Sequence, residues 1–108
     1  PIFSAWDVSR VIDMSSMFEN ALAFNGDLSA WNVSSVTDMS SMFEDAKAFQ
    51  SDLSKWDVSS VESMPNIFKG ASKFCCDVSK WNVHSLEFSL HAFRYSGVPR
   101  DVRKFMYC

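Results

Sequence analysis

The 108-residue sequence lacks the features that mark membrane proteins and most enzymes. No apolar run approaches the ~20 residues needed to cross a bilayer, which excludes a membrane-spanning protein. No phosphate-cradling glycine loop, nucleophile elbow or HExxH motif occurs, so neither an enzyme nor a bound cofactor is predicted. The sequence has no starting Met and no signal peptide, and it opens inside a repeat. We therefore expect a processed protein or a fragment of a longer array.

Cysteine and histidine are scarce and irregularly placed. The three cysteines are Cys75, Cys76 and Cys108, an odd number without the spacing of metal ligands. A bridge from Cys108 to Cys75 or Cys76 and three free thiols are both compatible with this arrangement. The two histidines, His84 and His91, add no supporting spacing. We predict no metal site.

What the sequence does contain is a 25-residue repeat. Residues 5–29, 30–54 and 55–79 align, a degenerate copy covers 80 to about 96, and residues 97–108 diverge in the manner of a C-terminal cap. A fixed period of this length is typical of a stacked solenoid, so one repeat domain is predicted over 1–108. The most regular columns hold Trp6, Trp31, Trp56 and Trp81; Val8, Val33, Val58 and Val83; and Phe18, Phe43, Phe68 and Phe93.

Each repeat divides into two patterns. Residues 31–34 alternate large apolar with polar side chains, which predicts a short parallel β-strand with one buried face. The apolar residues that follow are spaced mostly by three, which predicts one helical stripe. Pro65 occupies the column of Ser40, and proline is tolerated only in the first turn of a helix, so the helix should run roughly from Ser40 to Lys47. The prediction is an α/β repeat solenoid of about four coils, each with a short strand and a short helix.

The repeat motif resembles that of a known family. W-[DN]-V-S-x-V-x-D-M-S-x-M-F-x-x-A-x-x-F-x-x-D-L-S, over residues 5 to about 96, is similar to the 25-residue, BspA-like class of leucine-rich repeat found in microbial surface proteins. The resemblance implies a leucine-rich-repeat-like solenoid with a structural or protein-binding role. It also implies a location at the cell surface or in secreted form, and no common active site.

Two columns of aspartate raise a further alternative. Asp27, Asp52 and Asp77 form one column, and Asp13 and Asp38 form another. Stacked carboxylates can bind Ca²⁺ when several oxygen atoms converge on the ion. Neither column has the glycine-rich spacing of calcium-binding repeats. We therefore predict that these aspartates accept hydrogen bonds from the backbone amides of their own turns.

Charge and column variability indicate where a partner would bind. Residues 1–54 carry two basic and eight acidic residues, whereas 55–108 carry eight basic and five acidic ones. The acidic first half argues against nucleic acid as a partner. The apolar columns are constant, whereas several surface columns change from repeat to repeat. The candidate partner-binding residues come from those columns and from the basic tail: Arg10, Glu19, Glu44, Asp45, Lys69, Arg94, Tyr95, Arg100, Arg103 and Lys104.

These observations favour a non-enzymatic protein-binding module. With the resemblance, they suggest a segment of a surface or secreted adhesion-type protein. The alternative is a small structural subunit that stabilises a larger complex through its N-terminal edge and its basic C-terminal tail. In either case the apolar edge at Trp6 should be covered by further repeats or by another subunit. An enzyme or metal protein has only the scattered histidines and cysteines in its favour.

Overall fold

The computed structural model describes residues 5–75 together with Val78 and Trp81. These residues contain no α-helix and no strand. Ladder pairing is limited to two isolated parallel bridges, Asp13 with Asp38 and Asp38 with Ser63. Turns dominate instead, and the longest of them span residues 15–20, 40–45 and 65–70. The chain is compact, with principal extents of 33 × 30 × 22 Å.

The predicted α/β solenoid of leucine-rich-repeat type is therefore wrong. The segment predicted as a helix, residues 40–47, forms a turn at 40–45 and a second turn at 47–48. Ser41 and Asp45 have φ angles of 56° and 58°, in the left-handed region. A right-handed helix cannot continue through such residues. The other turns share this geometry, with positive φ at Ser16, Asn20, Asn66 and Gly70.

The predicted strand is also absent. Residues 31–33 have no ladder pairing, and residues 34–35 form a turn. The physical reason lies in the backbone after Val33, because the amide of Val36 donates to the carbonyl oxygen of Val33 at 3.0 Å. This local hydrogen bond turns the chain directly after Val33. The extended segment is therefore too short to form a β-ladder with the equivalent segment of the next repeat.

Backbone hydrogen bonds in the long turns alternate between two directions. The amides of Met42, Glu44 and Ala46 donate to the carbonyl three residues earlier, at 3.0–3.2 Å, and so close successive local turns. The intervening amides donate to the next sequence repeat. These longer-range bonds, at 2.7–2.9 Å, are Met39 to Ser63, Ser41 to Pro65, Phe43 to Ile67 and Asp45 to Lys69. Residues one sequence period apart therefore lie against each other although no sheet forms.

Aromatic rings from successive sequence repeats stack on one another in the core, beside buried Val, Leu, Ile and Met side chains. Phe43 stacks between Phe18 and Phe68 with centroid distances of 5.5 and 5.7 Å. Trp56 is stacked on Trp81 at 6.3 Å. The indole N–H of Trp56 donates to the buried carbonyl oxygen of Leu28 at 2.9 Å, so the tryptophan contributes both packing and a satisfied polar atom. The constant apolar columns are confirmed as core in the second and third repeats, whereas Trp6 and Met17 of the first repeat are exposed. No described residue in that core is polar or charged.

Candidate functional site

The aspartate columns are held in short turns of their own. Oδ1 of Asp27 accepts hydrogen bonds from the amide of Ser29 at 2.9 Å and from its hydroxyl at 2.7 Å. This confirms the predicted local role of the aspartates. Among the described residues, no group of three or more His, Cys, Asp and Glu side chains converges in a way that could hold a metal ion. The same amide bond to a residue two positions earlier is accepted by Asp7, Asp13, Asn32, Asp38, Asp52 and Asp57.

Serine donors lower the pKa of four of these aspartates. The hydroxyl and then the amide of the serine two residues later stabilise the ionised carboxylate, which lowers the pKa below its ordinary value of 3.8. The four are Asp7, Asp13, Asp27 and Asp57. Because the pKa is lower in the folded chain than in the unfolded chain, the folded chain binds fewer protons near pH 4. The associated stability is complete above the ordinary pKa and is lost as pH falls through the folded value.

We expect the free energy of unfolding to decrease as pH falls from about 5 to about 2. The variant Asp7→Asn/Asp57→Asn should have a smaller pH dependence, because asparagine does not titrate. It should keep both turns, since Asn32 already accepts the bonds from the amide and hydroxyl of Ser34. Urea unfolding at a series of pH values measures this. The matched Asp7→Ala/Asp57→Ala variant should be destabilised at neutral pH as well. A pH profile of the asparagine variant that overlays the wild type would contradict the prediction.

Some of the predicted partner-binding residues lie together. The amide of Asp45 donates to the carbonyl of Lys69 at 2.7 Å, and the carbonyl of Glu44 accepts from the amide of Asn20 at 2.8 Å. Glu19 is exposed and occupies the same column as Glu44 and Lys69. The hydrogen bond between their backbones places acidic Asp45 of the second repeat next to basic Lys69 of the third. Arg10 lies elsewhere, in the turn at 9–10.

The remaining predicted site residues fall outside the described residues. They are Arg94, Tyr95, Arg100, Arg103 and Lys104, together with the predicted cap at 97–108 and both histidines. Cys75 is disulfide-bonded, so the alternative of three free thiols is wrong. Within the part of the chain that the structure describes, no helix is long and apolar enough to cross a bilayer.

The first sequence repeat exposes two apolar side chains that are not among the predicted partner-binding residues. Ile12 is 61% exposed and Leu22 is 60% exposed. The next repeat has polar residues at these positions, Thr37, which is half-buried, and Lys47, which is exposed. Packing therefore does not require an apolar residue at either position. The change from apolar to polar along these two columns was visible in the sequence and would have singled out both residues.

Met17 is exposed for a different reason. It is 41% exposed, whereas its column neighbours Met42 and Ile67 are fully buried. Phe18 is likewise only partly buried, whereas Phe43 is completely buried. The first repeat packs against one side of the second repeat and buries Met42 there. No described residue packs in the same way against the equivalent side of the first repeat. The sequence analysis predicted an uncovered apolar edge at Trp6 but did not single out Met17, because Met17 reads as a core residue.

Unpaired backbone groups accompany the exposed Met17. The carbonyl groups of Asp38, Ser40, Met42 and Glu44 accept amide hydrogen bonds from the first repeat at 2.8–2.9 Å. Their counterparts in the first repeat receive no hydrogen bond from any described residue. We call this surface the N-terminal edge; it consists of the side chain of Met17 and the carbonyl groups of Asp13, Ser15, Met17 and Glu19.

A shallow polar groove lies where the first and second repeats meet. It has a volume of about 290 Å³ and is lined by Asn25, Gly26, Asp27, Gln50, Ser51 and Asp52. The amide of Gln50 donates to Oδ1 of Asn25 at 2.8 Å. The amide of Leu28 donates to the hydroxyl of Ser51 at 3.0 Å. These groups join the two repeats, which gives them a structural role.

Comparison with known proteins identifies the family. The family model described as "Mycoplasma protein of unknown function, DUF285" matches residues 2–101, and the chain belongs to this family. The resemblance to the BspA-like leucine-rich repeat family is therefore wrong, as are the leucine-rich-repeat and solenoid descriptions that came with it. No curated protein and no solved structure matches the chain.

Proposed function

We propose that this chain is a non-enzymatic protein-binding module that contacts its partner through the first sequence repeat. One observation supports the proposal. The large exposed hydrophobic side chains of the described residues are Trp6, Ile12, Met17 and Leu22, and all of them lie within residues 5–29. Single exposed apolar side chains are common on monomeric proteins. Their concentration in one repeat is typical of an interaction surface.

Ile12 and Leu22 are the side chains most specific to this function. The second repeat has polar Thr37 and Lys47 at the equivalent positions, so the fold accepts a polar side chain at each of them. An apolar residue there contributes little to the folded chain by itself. At an interface, full burial of such a side chain contributes about 1.5–3 kcal/mol. The two positions can therefore be altered with a large effect on binding and a small one on stability.

A photo-cross-linking experiment tests this proposal. With a photoreactive residue in place of Leu22, we expect a discrete cross-linked protein in extracts of cells that produce the chain naturally. The added substitution Ile12→Thr should lower the yield roughly tenfold, which corresponds to about 1.4 kcal/mol. The matched control places the photoreactive residue at Ser72, an exposed position of the same column in the third repeat. Little cross-linking is expected there, because that repeat exposes no large apolar side chain among its described residues.

The outcomes separate the alternatives. Equal cross-linking from positions 22 and 72 would count against a surface on the first repeat. A melting temperature that drops sharply in Ile12→Thr would show that the residue serves folding instead. A cross-linked partner that also co-purifies in fixed stoichiometry without irradiation would favour a structural subunit of a larger complex over a reversible binding module.

A further inference from the structure

We propose that Asn25 is a site of spontaneous modification. In the folded chain its side-chain amide is converted to aspartate or isoaspartate, and the conversion loosens the junction between the first and second repeats. Asn25 precedes Gly26, and no other Asn-Gly pair occurs in the sequence. The inference goes beyond the proposed protein-binding function and does not depend on it.

The reaction needs only the chain and water. The backbone nitrogen of Gly26 attacks Cγ of Asn25, so that a bond forms between these two atoms and the bond from Cγ to Nδ2 breaks. Ammonia leaves with the proton that the Gly26 nitrogen gives up, and a cyclic imide remains. Water then opens the ring. Opening at Cγ gives aspartate, whereas opening at the main-chain carbonyl carbon gives isoaspartate, in which the main chain runs through Cβ and Cγ.

The folded chain leaves both reacting groups accessible. Asn25 is exposed and lines the shallow polar groove between the first two repeats, so water reaches its side chain. The amide of Gly26 donates to no described acceptor, which leaves its nitrogen without a competing hydrogen bond. Glycine also lacks the Cβ atom that would hinder the approach of its nitrogen to Cγ.

A hydrogen bond from the second repeat favours the attack. The amide of Gln50 donates to Oδ1 of Asn25 at 2.8 Å. This oxygen becomes negatively charged when the nitrogen of Gly26 adds to Cγ. A donor that is already in place stabilises such a charge, as the donors of an oxyanion hole do. We therefore expect the fold to permit the reaction at Asn25.

The other asparagines of the described chain lack this combination and serve as internal controls. A residue with a Cβ atom follows each of them. The pairs are Asn20 with Ala21, Asn32 with Val33, and Asn66 with Ile67.

Both products weaken the contact between the repeats. Asp27 and Asp52 already line the groove, so a further carboxylate at position 25 adds repulsion between like charges. Isoaspartate also lengthens the main chain at position 25 by one carbon atom. The longer chain displaces Leu28, whose amide donates to the hydroxyl of Ser51 at 3.0 Å.

The test incubates the full chain at neutral and at mildly alkaline pH and follows each asparagine by peptide mass spectrometry. We expect both aspartate and isoaspartate to accumulate at position 25, because isoaspartate forms only through the cyclic imide. Conversion should be faster at alkaline pH, since the attacking nitrogen must lose its proton. Residues 20, 32 and 66 should remain asparagine over the same time.

The matched variant is Gly26→Ser. Serine adds a Cβ atom beside the attacking nitrogen, so conversion should slow roughly tenfold or more. The variant should fold normally, because Ser51 occupies the same column in the second repeat and Gly26 does not have a positive φ. A melting temperature close to that of the wild type verifies this. Gly26→Ala provides a second variant with the same expectation.

Stability of the converted chain is measured after its separation from the unconverted chain by ion exchange. Both products should unfold at a lower urea concentration than the unconverted chain. The isoaspartate product should unfold at the lowest, because it combines the added charge with the lengthened main chain.

Three results would overturn the inference. The first is retention of Asn25 in the folded chain while a synthetic peptide of residues 20–30 converts, which would show that folding holds the side chain away from Gly26. The second is equal conversion in Gly26→Ser. The third is an identical urea midpoint for the converted and unconverted chains. None of these results affects the comparison of cross-linking from positions 22 and 72.

Discussion

Replacing Phe43 with alanine should lower the free energy of unfolding by about 3–5 kcal/mol. The side chain is completely buried, and its ring packs on Phe49 with a centroid distance of 4.2 Å. It also lies between two further rings, Phe18 at 5.5 Å and Phe68 at 5.7 Å. Truncation removes these contacts and leaves a cavity that stacked, nearly parallel rings cannot easily fill. Urea denaturation at neutral pH measures the loss.

Phe18→Ala is the matched control for this prediction. Phe18 occupies the same column and stacks on Phe24 at 4.4 Å, yet it is only partly buried at the N-terminal edge. Its truncation should therefore cost clearly less than that of Phe43. Equal losses would show that the edge is covered in solution. A loss below about 1.5 kcal/mol for Phe43→Ala would contradict the ring-stacked core.

The core could be predicted from the sequence because its evidence is a pattern of residue types. Apolar side chains recur at the same positions in the first three repeats, and such positions are constrained by packing whatever the backbone does. Met39, Phe43 and Trp56 are accordingly buried, as the columns predicted. A fixed period also predicts that equivalent residues of successive repeats lie next to each other in the folded chain.

The local backbone could not be predicted from the same pattern. Apolar residues spaced by three are compatible with a helix, and equally with successive turns that each close over three residues. The deciding feature is the left-handed conformation at Ser41 and Asp45. One sequence feature did point to it, because the column of Asp45 holds asparagine at Asn20 and glycine at Gly70. Asn, Asp and Gly are the residues that most readily adopt positive φ.

The candidate site was predicted from charge and variability, whereas the structure directs attention to exposed apolar groups. Glu19 and Lys69 are variable surface positions, but nothing in the described contacts distinguishes them as a binding site. An uncovered apolar edge was predicted at Trp6, but Met17 itself was read as a core residue, because its exposure depends on whether a neighbour covers it. The unpaired carbonyl groups are even less visible, since every residue type has one.

Replacing Gly70 with alanine should lower the free energy of unfolding by roughly 1–2 kcal/mol from backbone conformation alone. Gly70 has a φ of 76°, where a Cβ atom approaches the backbone too closely. The position is buried, and a Cβ built there would overlap the carboxylate of Asp45. We therefore expect a total loss larger than the backbone cost, because the carboxylate must also move. Thermal or urea unfolding of the single variant measures this sum.

The double variant Asp45→Gly/Gly70→Ala separates the two causes. Glycine at position 45 keeps the positive φ of Asp45, 58°, and removes the carboxylate that the new methyl group would meet. The loss caused by Gly70→Ala should then fall to the backbone cost of about 1–2 kcal/mol. A double-mutant cycle gives the difference as a coupling free energy. Additive losses would show that the two positions do not touch, and would count against the close stacking of the second and third sequence repeats at this turn.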